Sequence, residues 1–391
     1  MPDSGMVKHA SPGTLACERA WVNIDLKALE NNVRQIKQQL LPQTALMAVV
    51  KADGYGHGAV TVAQTALANG ATWLGVATIL EGIELRQADI NAPILILGAT
   101  HTVQEIEAIV RWQLQPTLCS PEQALIFSRH LQHPLPIHLK VDTGMSRLGP
   151  IWQQGATFIE FVSRLPNLKI ASIYSHLATA DDADSSFMLQ QQSRLQDVLS
   201  RIQAQDIPLP KLHLANSAGT LVGPQFHYDL VRVGLALYGL YPAPHFQQAI
   251  ALQPVMQVKA RITQIKTLPA GSGVSYNHTF TTEQPLTVAV VGIGYADGVP
   301  RSLSNQMNVI IRGRLAPQIG AITMDQLMVD VSDVPNLQVG EVVTILGQDG
   351  KASISAETWA DALGTISYEI VCGFKHRLPR ILVNSDVPQR L

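Results

Sequence analysis

Ala45-Leu46-Met47-Ala48-Val49-Val50-Lys51-Ala52-Asp53-Gly54-Tyr55-Gly56-His57-Gly58 is the stretch that decides the architecture. An apolar run without alternation ends in a lysine, and a glycine-rich loop follows. A strand with one wet face would alternate, so a continuous run reads as a strand buried on both faces, as in parallel sheets. Helical periodicity then takes over from Gly58 to Asn69. The same unit recurs down the chain. Further apolar runs lie at Trp73–Thr78, Pro93–Gly98, Gln115–Cys119, Pro136–Asp142, Ile170–His176, Lys211–Ser217 and Val231–Gly239, which makes eight. Helical patterns at Leu80–Ala88, Val103–Trp112, Pro121–Leu131, Phe158–Leu165 and Ser186–Gln205 separate them. Ser120-Pro121-Glu122-Gln123 carries a capping box with proline at the first helical position.

Eight strands alternating with helices fit an α/β architecture of the TIM type, a (β/α)8 barrel, which takes about 250 residues. A helix expected at Leu26–Leu40 can supply the eighth helix, while a doubly wound open sheet is the alternative arrangement. From about residue 250 the pattern changes to strands joined by Gly, Pro, Asn and Asp turns, with Ala356–Leu363 as its one helical stretch. The expected organisation is therefore a mobile tail over 1–17, a barrel over 18–250 and a mainly β C-terminal domain over 251–391.

Composition narrows the partners. The chain has 391 residues, with 28 Lys plus Arg against 30 Asp plus Glu, a formal charge of −2. This balance gives no electrostatic reason to expect nucleic acid or a membrane surface. Only 15% of residues are charged and 46% are hydrophobic, which implies a large core or surface hidden in an oligomer. The three cysteines form no CxxC pair, so a disulfide framework and a cysteine metal site are both unexpected, and a cytoplasmic setting is expected.

In a barrel, chemistry sits at the C-terminal ends of the strands. Lys51 ends the first strand, and a desolvated lysine becomes a nucleophile. Lys140, Asp142 and Arg147 end the fifth strand, His176 the sixth, and Asn216 and Ser217 the seventh, with Arg232, Gly234 and Leu235 on the eighth. Loops after strands seven and eight commonly bind phosphate, which suits Ser217 and the amides near Gly234. In the second domain Tyr276, Tyr295, Tyr368 and the segment Met324-Asp325 sit in turn-like stretches.

The segment Ala48–Gly58 resembles the cofactor-attachment signature of the alanine racemase family. The resemblance continues through Lys140–Gly149, Ser175–Asp181, His213–Thr220, Asp229–Gly239, Gly292–Arg301, Ala321–Val331 and Arg377–Arg380, in family order. It implies a pyridoxal 5'-phosphate enzyme that interconverts L- and D-alanine for peptidoglycan, as a head-to-tail homodimer with shared active sites. Lys51 would carry the cofactor and act as one base, with Tyr276 from the partner subunit as the other. Tyr55, Ser217, Tyr368, Gly234 and Leu235 would hold the phosphate, Arg232 would face the ring nitrogen, and His176 would lie against the ring. Arg147 and Met324 would bind substrate, supported by Lys140, often carbamylated in the family, and by Asn216 and Asp325. A tyrosine base needs a nearby positive charge, from His176 or an arginine. The chain departs from the usual pattern at Asn277-His278-Thr279-Phe280, where the family has glycine after the tyrosine, and at Thr323, commonly cysteine. Asparagine is expected to accept the left-handed turn that the glycine would make.

Overall fold

The structure, a computed structural model, describes residues 19–384. The expected tail over 1–17 lies outside the described residues. The chain divides into two compact units, residues 28–253 and the pairing of the N-terminal segment to Lys27 with residues 254 onward.

Strand β1 (Ala20–Asp25) leads into helix α1 (Leu26–Gln39). The barrel strands are β2 (Ala45–Val49), β3 (Trp73–Val76), β4 (Ile94–Ala99), β5 (Gln115–Leu118), β6 (Leu135–Lys140), β7 (Leu168–Tyr174), β8 (Lys211–His213) and β9 (Leu230–Val233). They are all parallel, in the order β8-β7-β6-β5-β4-β3-β2-β9. The β2–β9 pairing rules out the doubly wound alternative. Closure between β8 and β9 is made by Asp229 N donating to Leu212 O (3.0 Å), Leu212 N to Asp229 Oδ2 (2.8 Å) and Arg232 N to Ala215 O (3.0 Å).

Helices α2 (Ala59–Ala68), α3 (Ile79–Gln87), α4 (Val103–Arg111), α5 (Pro121–His130), α6 (Trp152–Ser163) and α7 (Ser186–Gln203) follow successive strands. After β8 comes only a short helix, α8 (Ser217–Val222). The place of a full eighth helix falls to α1, where buried Asn32 donates to Leu237 O and Gln253 O beyond β9 (3.0 and 2.7 Å). Ser120 caps α5 by accepting from Gln123 N, but Gln123 Oε1 returns its bond to Cys119 N rather than to Ser120. Helix α6 begins six residues before the expected Phe158. Its Gly155 packs so closely on Val141 and Val198 that a side chain there would touch both at 3.1 Å.

The second unit is a nine-stranded sheet. It comprises β10 (Met256–Leu268), β13 (Leu286–Val291), β14 (Asn308–Ile311), β15 (Arg314–Ile319), β16 (Leu327–Asp330), β17 (Val342–Asp349), β18 (Ala352–Ile354), β19 (Arg380–Val383) and β1. A small hairpin, β11 (Gly273–Val274) with β12 (Phe280–Thr281), carries the Tyr276 loop. Two helices complete it, α9 (Ala356–Leu363) and α10 (Ser367–Gly373).

Three expectations change here. The expected barrel domain takes in residues 20–25, but β1 lies between β10 and β19 in the second sheet. Its alternating burial fits a strand with one wet face, and alternation does not say which sheet it joins. Ser367-Tyr368-Glu369 opens a helix rather than a turn. Met307–Arg314, whose apolar run reads from sequence as one strand, is instead β14 and a turn at Arg312 and Gly313, both with positive φ, that leads into the paired strand β15 with its Pro317.

Candidate active site

Lys51 sits just past β2, where Val50 N still bonds Gly75 O at 2.9 Å. The next four residues are left-handed: Ala52, Asp53 and Tyr55 at φ 54 and Gly54 at φ 58. For a non-glycine residue this region costs about 1–2 kcal/mol, so the turn is strained on three positions. Such strain persists only when the surroundings over-determine it, and here they do. Glu81 accepts from Ala52 N and also from Ala77 N (both 2.7 Å). Asp53 Oδ1 accepts from Ala59 N at 2.9 Å, and His57 Nδ1 meets Tyr55 O at 2.9 Å. Glu81 is thus a brace and helix cap.

The turn delivers Tyr55 into the barrel. Its ring packs 4.8 Å from that of Tyr238, which also stacks on His57 at 4.5 Å and donates its hydroxyl to Val49 O. The Tyr55 hydroxyl arrives over Gly234, where a Cβ would lie 2.5 Å from it, so only glycine fits. Ser217 Oγ accepts from Gly234 N at 3.0 Å and from Ala236 N at 3.4 Å. Asn216 caps α8 by accepting from Gly219 N. Buried Leu235 follows Gly234. Two hydroxyls and backbone amides thus converge in a cradle suited to a phosphate.

Arg232 lies deeper and is 4% exposed. It donates to Ser175 O (2.7 Å) and Leu214 O (3.1 Å), and meets His213 Nδ1 (2.9 Å) and His176 Nδ1 (3.1 Å). Burial lowers its pKa to about 10, which leaves it charged at neutral pH. All four of these partners are neutral. A buried cation without a counter-charge is costly, which suits a ligand bearing an acceptor. His176 is held well below its ordinary pKa by burial and then by Arg232, Lys140, Arg147 and Lys51, so it is neutral. A neutral His176 supplies no positive charge to its surroundings.

Lys140 is 5% exposed, with its amine 4.4 Å above the Tyr174 ring. Burial, then Arg232 and Arg147, push its pKa well down. Arg147 is exposed at the barrel mouth. Asp142 is buried and its carboxylate is taken up by backbone amides. Its Oδ1 accepts from Gly144 N, Met145 N and Ser146 N (2.9, 2.9 and 3.1 Å) and shapes the Arg147 loop.

The remaining expected residues lie in the β unit. Tyr276 is 68% exposed beside a cleft of about 800 Å³ lined also by Ser275, Thr323 and Gln326. Ser275 (φ 63, ψ −167), Asn277 (φ 59) and His278 (φ 46) flank it, so Asn277 does take the left-handed turn. Met324 is 53% exposed. Its segment is tied down by Ala296 N donating to Met324 O and by Arg377 bonding Asp325 at 2.5 Å. Asp297, fully buried, anchors the adjoining loop through Arg19 (2.6 and 2.8 Å). Tyr368 is half-buried on α10.

Sequence reasoning missed Gln115, His138 and Ser172, which line the barrel interior. The signal was available in part, because His138 stands two residues from Lys140 and Ser172 two from Tyr174, so each shares a strand face with a residue already singled out.

The descriptions "Alanine racemase, N-terminal domain" and "Alanine racemase, C-terminal domain" match residues 24–242 and 255–382. An alanine racemase of Nostoc sp. is 62% identical over 96% of this chain and 99% of its own length. One from Synechocystis sp. is 61% identical over 94% and 99%. Among solved structures, the alanine racemase of Bacillus anthracis with bound L-Ala-P superposes with a TM-score of 0.89 at 34% identity, covering 94% of this chain and 95% of that one. That of Bartonella henselae with covalently bound pyridoxal phosphate gives 0.84 at 33%, covering 93% and 99%. The two family matches and these relatives together span nearly the whole chain, which therefore belongs to the alanine racemase family of isomerases.

Proposed function

We propose that this protein interconverts L- and D-alanine with pyridoxal 5'-phosphate, as a cytoplasmic homodimer that supplies D-alanine for peptidoglycan. The observation that carries the reading is the barrel-mouth constellation. A lysine on a strained, braced turn adjoins a cradle of Tyr55, Ser217 and Gly234, and a buried arginine there bonds two backbone carbonyls and two neutral histidines. These residues fit the cofactor: Ser217, Tyr55 and the amides of Gly234 and Leu235 suit its phosphate, and Arg232 suits its ring nitrogen. Tyr368 joins the phosphate set on the family pattern alone.

When bound, the cofactor supplies a conjugated system that spreads the negative charge left by the departing Cα proton. Lys51 would hold the cofactor and move the proton on the face that D-alanine presents. Tyr276 of the partner subunit would move the proton on the opposite face, which is what racemisation requires. Its exposure, with that of Met324, suits completion by a second subunit. Arg232 only donates and stays charged, so it cannot protonate the ring nitrogen as a carboxylic acid would. Arg147 would bind the substrate carboxylate. The depressed pKa of Lys140 supplies the neutral amine that adds to carbon dioxide, releasing a proton and leaving a carbamate to accept from Arg147.

The deciding experiment measures L-to-D-alanine conversion by the wild type and by Lys51→Ala, with cofactor absorbance recorded. The wild type is expected to racemise, and the variant to lose at least about a thousandfold in kcat. A wild type with neither conversion nor a bound-cofactor band would overturn the reading.

A further inference from the structure

Arg232 is one end of a hydrogen-bond chain that crosses the barrel interior. His213 Nδ1 lies 2.9 Å from Arg232 Nη1, and His213 Nε2 lies 2.7 Å from Ser172 Oγ. Ser172 Oγ is 2.6 Å from His138 Nδ1, and His138 Nε2 is 2.8 Å from Gln115 Oε1. A side branch joins Arg232 Nη2 to His176 Nδ1 at 3.1 Å. His138, Ser172 and His213 are all buried.

The ends of the chain fix every proton in it. A guanidinium only donates, so His213 and His176 must each offer a lone pair at Nδ1. A neutral imidazole with a bare Nδ1 carries its hydrogen on Nε2. His213 therefore donates to Ser172, Ser172 donates to His138, and His138 donates to the Gln115 carbonyl. With every partner in place, reversing any link would set one donor against another. Charging His213 would set one N–H against another. The chain is a fixed polarity, not a proton path.

We propose that Ser172, His138 and Gln115 are positioning residues: they lock His213 in its Nε2–H tautomer, and His213 then anchors the Arg232 guanidinium for its role at the cofactor. This rests on the reading of Arg232 given above. Strand register builds the lock, since His138 and Ser172 are direct partners across β6 and β7. Tyr174 stacks on His213 at 4.5 Å with planes 6° apart, which fixes the ring plane and leaves the tautomer to Arg232 on one side and Ser172 on the other. Burial favours the neutral forms throughout, and lowers the pKa of His138 to about 3.

The test uses the full-length, cofactor-loaded protein labelled with 15N at histidine. Ring nitrogen shifts are read at neutral pH in the wild type, in Ser172→Ala and in Gln115→Met, with kcat and KM for L-alanine alongside. The wild type is expected to show His138, His176 and His213 neutral with hydrogen on Nε2. Ser172→Ala is expected to bring His213 into exchange between tautomers and to lower kcat about tenfold, the scale of one buried hydrogen bond, with KM little changed. Gln115→Met is expected to unfix His138 in the same way, and it stands in if Ser172→Ala does not fold. An Nδ1–H or charged His213 in the wild type would overturn the proposal. So would folded variants that keep His138 and His213 wholly in the Nε2–H form. The tautomers are read whether or not the protein racemises alanine, so failure of the proposed function shows separately as absent wild-type turnover.

Discussion

Each unit carries a proposed proton-transfer residue beside left-handed backbone, yet the two stretches are built differently. Around Lys51 the left-handed residues are Ala52, Asp53, Gly54 and Tyr55, and Glu81, Asp53 and His57 clamp them from within the same unit. Around Tyr276 they are Ser275, Asn277 and His278. There the bracing is slight: Ser275 Oγ donates to Ala321 O at 2.7 Å, and His278 lies over Gly273. The lysine turn is finished by its own chain, whereas Tyr276 is left exposed. Strained backbone needs something to hold it, and on the proposed reading a second subunit completes what the β unit leaves open.

The strongest way to break this contrast is Tyr276→Phe. If the tyrosine serves one face and the lysine the other, racemisation should fall about 10²–10⁴-fold, the usual worth of a positioned acid or base. The loss should be lopsided. In D2O, D-alanine should still exchange its Cα hydrogen through Lys51, while exchange into L-alanine should nearly vanish. Equal loss of both exchanges would mean that the two residues do not divide the faces.

A second difference concerns acid. Three histidines inside the barrel unit, His138, His176 and His213, are held below their ordinary pKa, chiefly by burial. Below pH about 6.5 the unfolded chain takes up protons that the folded barrel refuses, so stability falls as pH drops. With the folded His138 titrating only near pH 3, its share is lost progressively between about 6.5 and 3, and is fully present above that window. Each histidine gives a slope of up to about 1.4 kcal/mol per pH unit, and the three together up to about 4. Urea midpoints should be flat from pH 8 to 7 and fall steeply below 6. A flat profile down to pH 5 would show that these histidines are not buried neutral.

Legibility follows the same divide. The barrel could be read because parallel strands buried on both faces write continuous apolar runs, and because Lys51, Ser217 and Arg232 stand at or near strand ends. The β unit was harder. Strand β1 pairs with a partner more than 230 positions away in sequence, and nothing local in Ala20–Asp25 names that partner. Pro317 concealed β15, since proline reads as a strand breaker although an edge or irregular pairing tolerates it. Helix α10 is seven residues long, too short for periodicity to show. The interior chain from Gln115 to His213 was hard to see for another reason. Single polar residues inside apolar runs look like exceptions until the register sets them side by side.

The smallest effect is also the finest test of the contrast between the two loops. Ala52 and Asn277 share nearly the same φ, 54 and 59. Alanine has no means of easing that conformation, whereas asparagine is among the few residues that visit it routinely. Replacing Ala52 with glycine should relieve about 1–2 kcal/mol of strain and give back about 0.5–1 through the freer unfolded chain. A net gain of about 0.5–1 kcal/mol is expected. Asn277→Gly has less strain to relieve and the same entropic cost, so its midpoint in urea should move by no more than a few tenths of a kcal/mol. An equal gain at both positions would mean that the Tyr276 loop is held against strain by contacts within its own chain. Its exposure would then say nothing about a second subunit, and the argument for a shared site would rest on the family pattern alone.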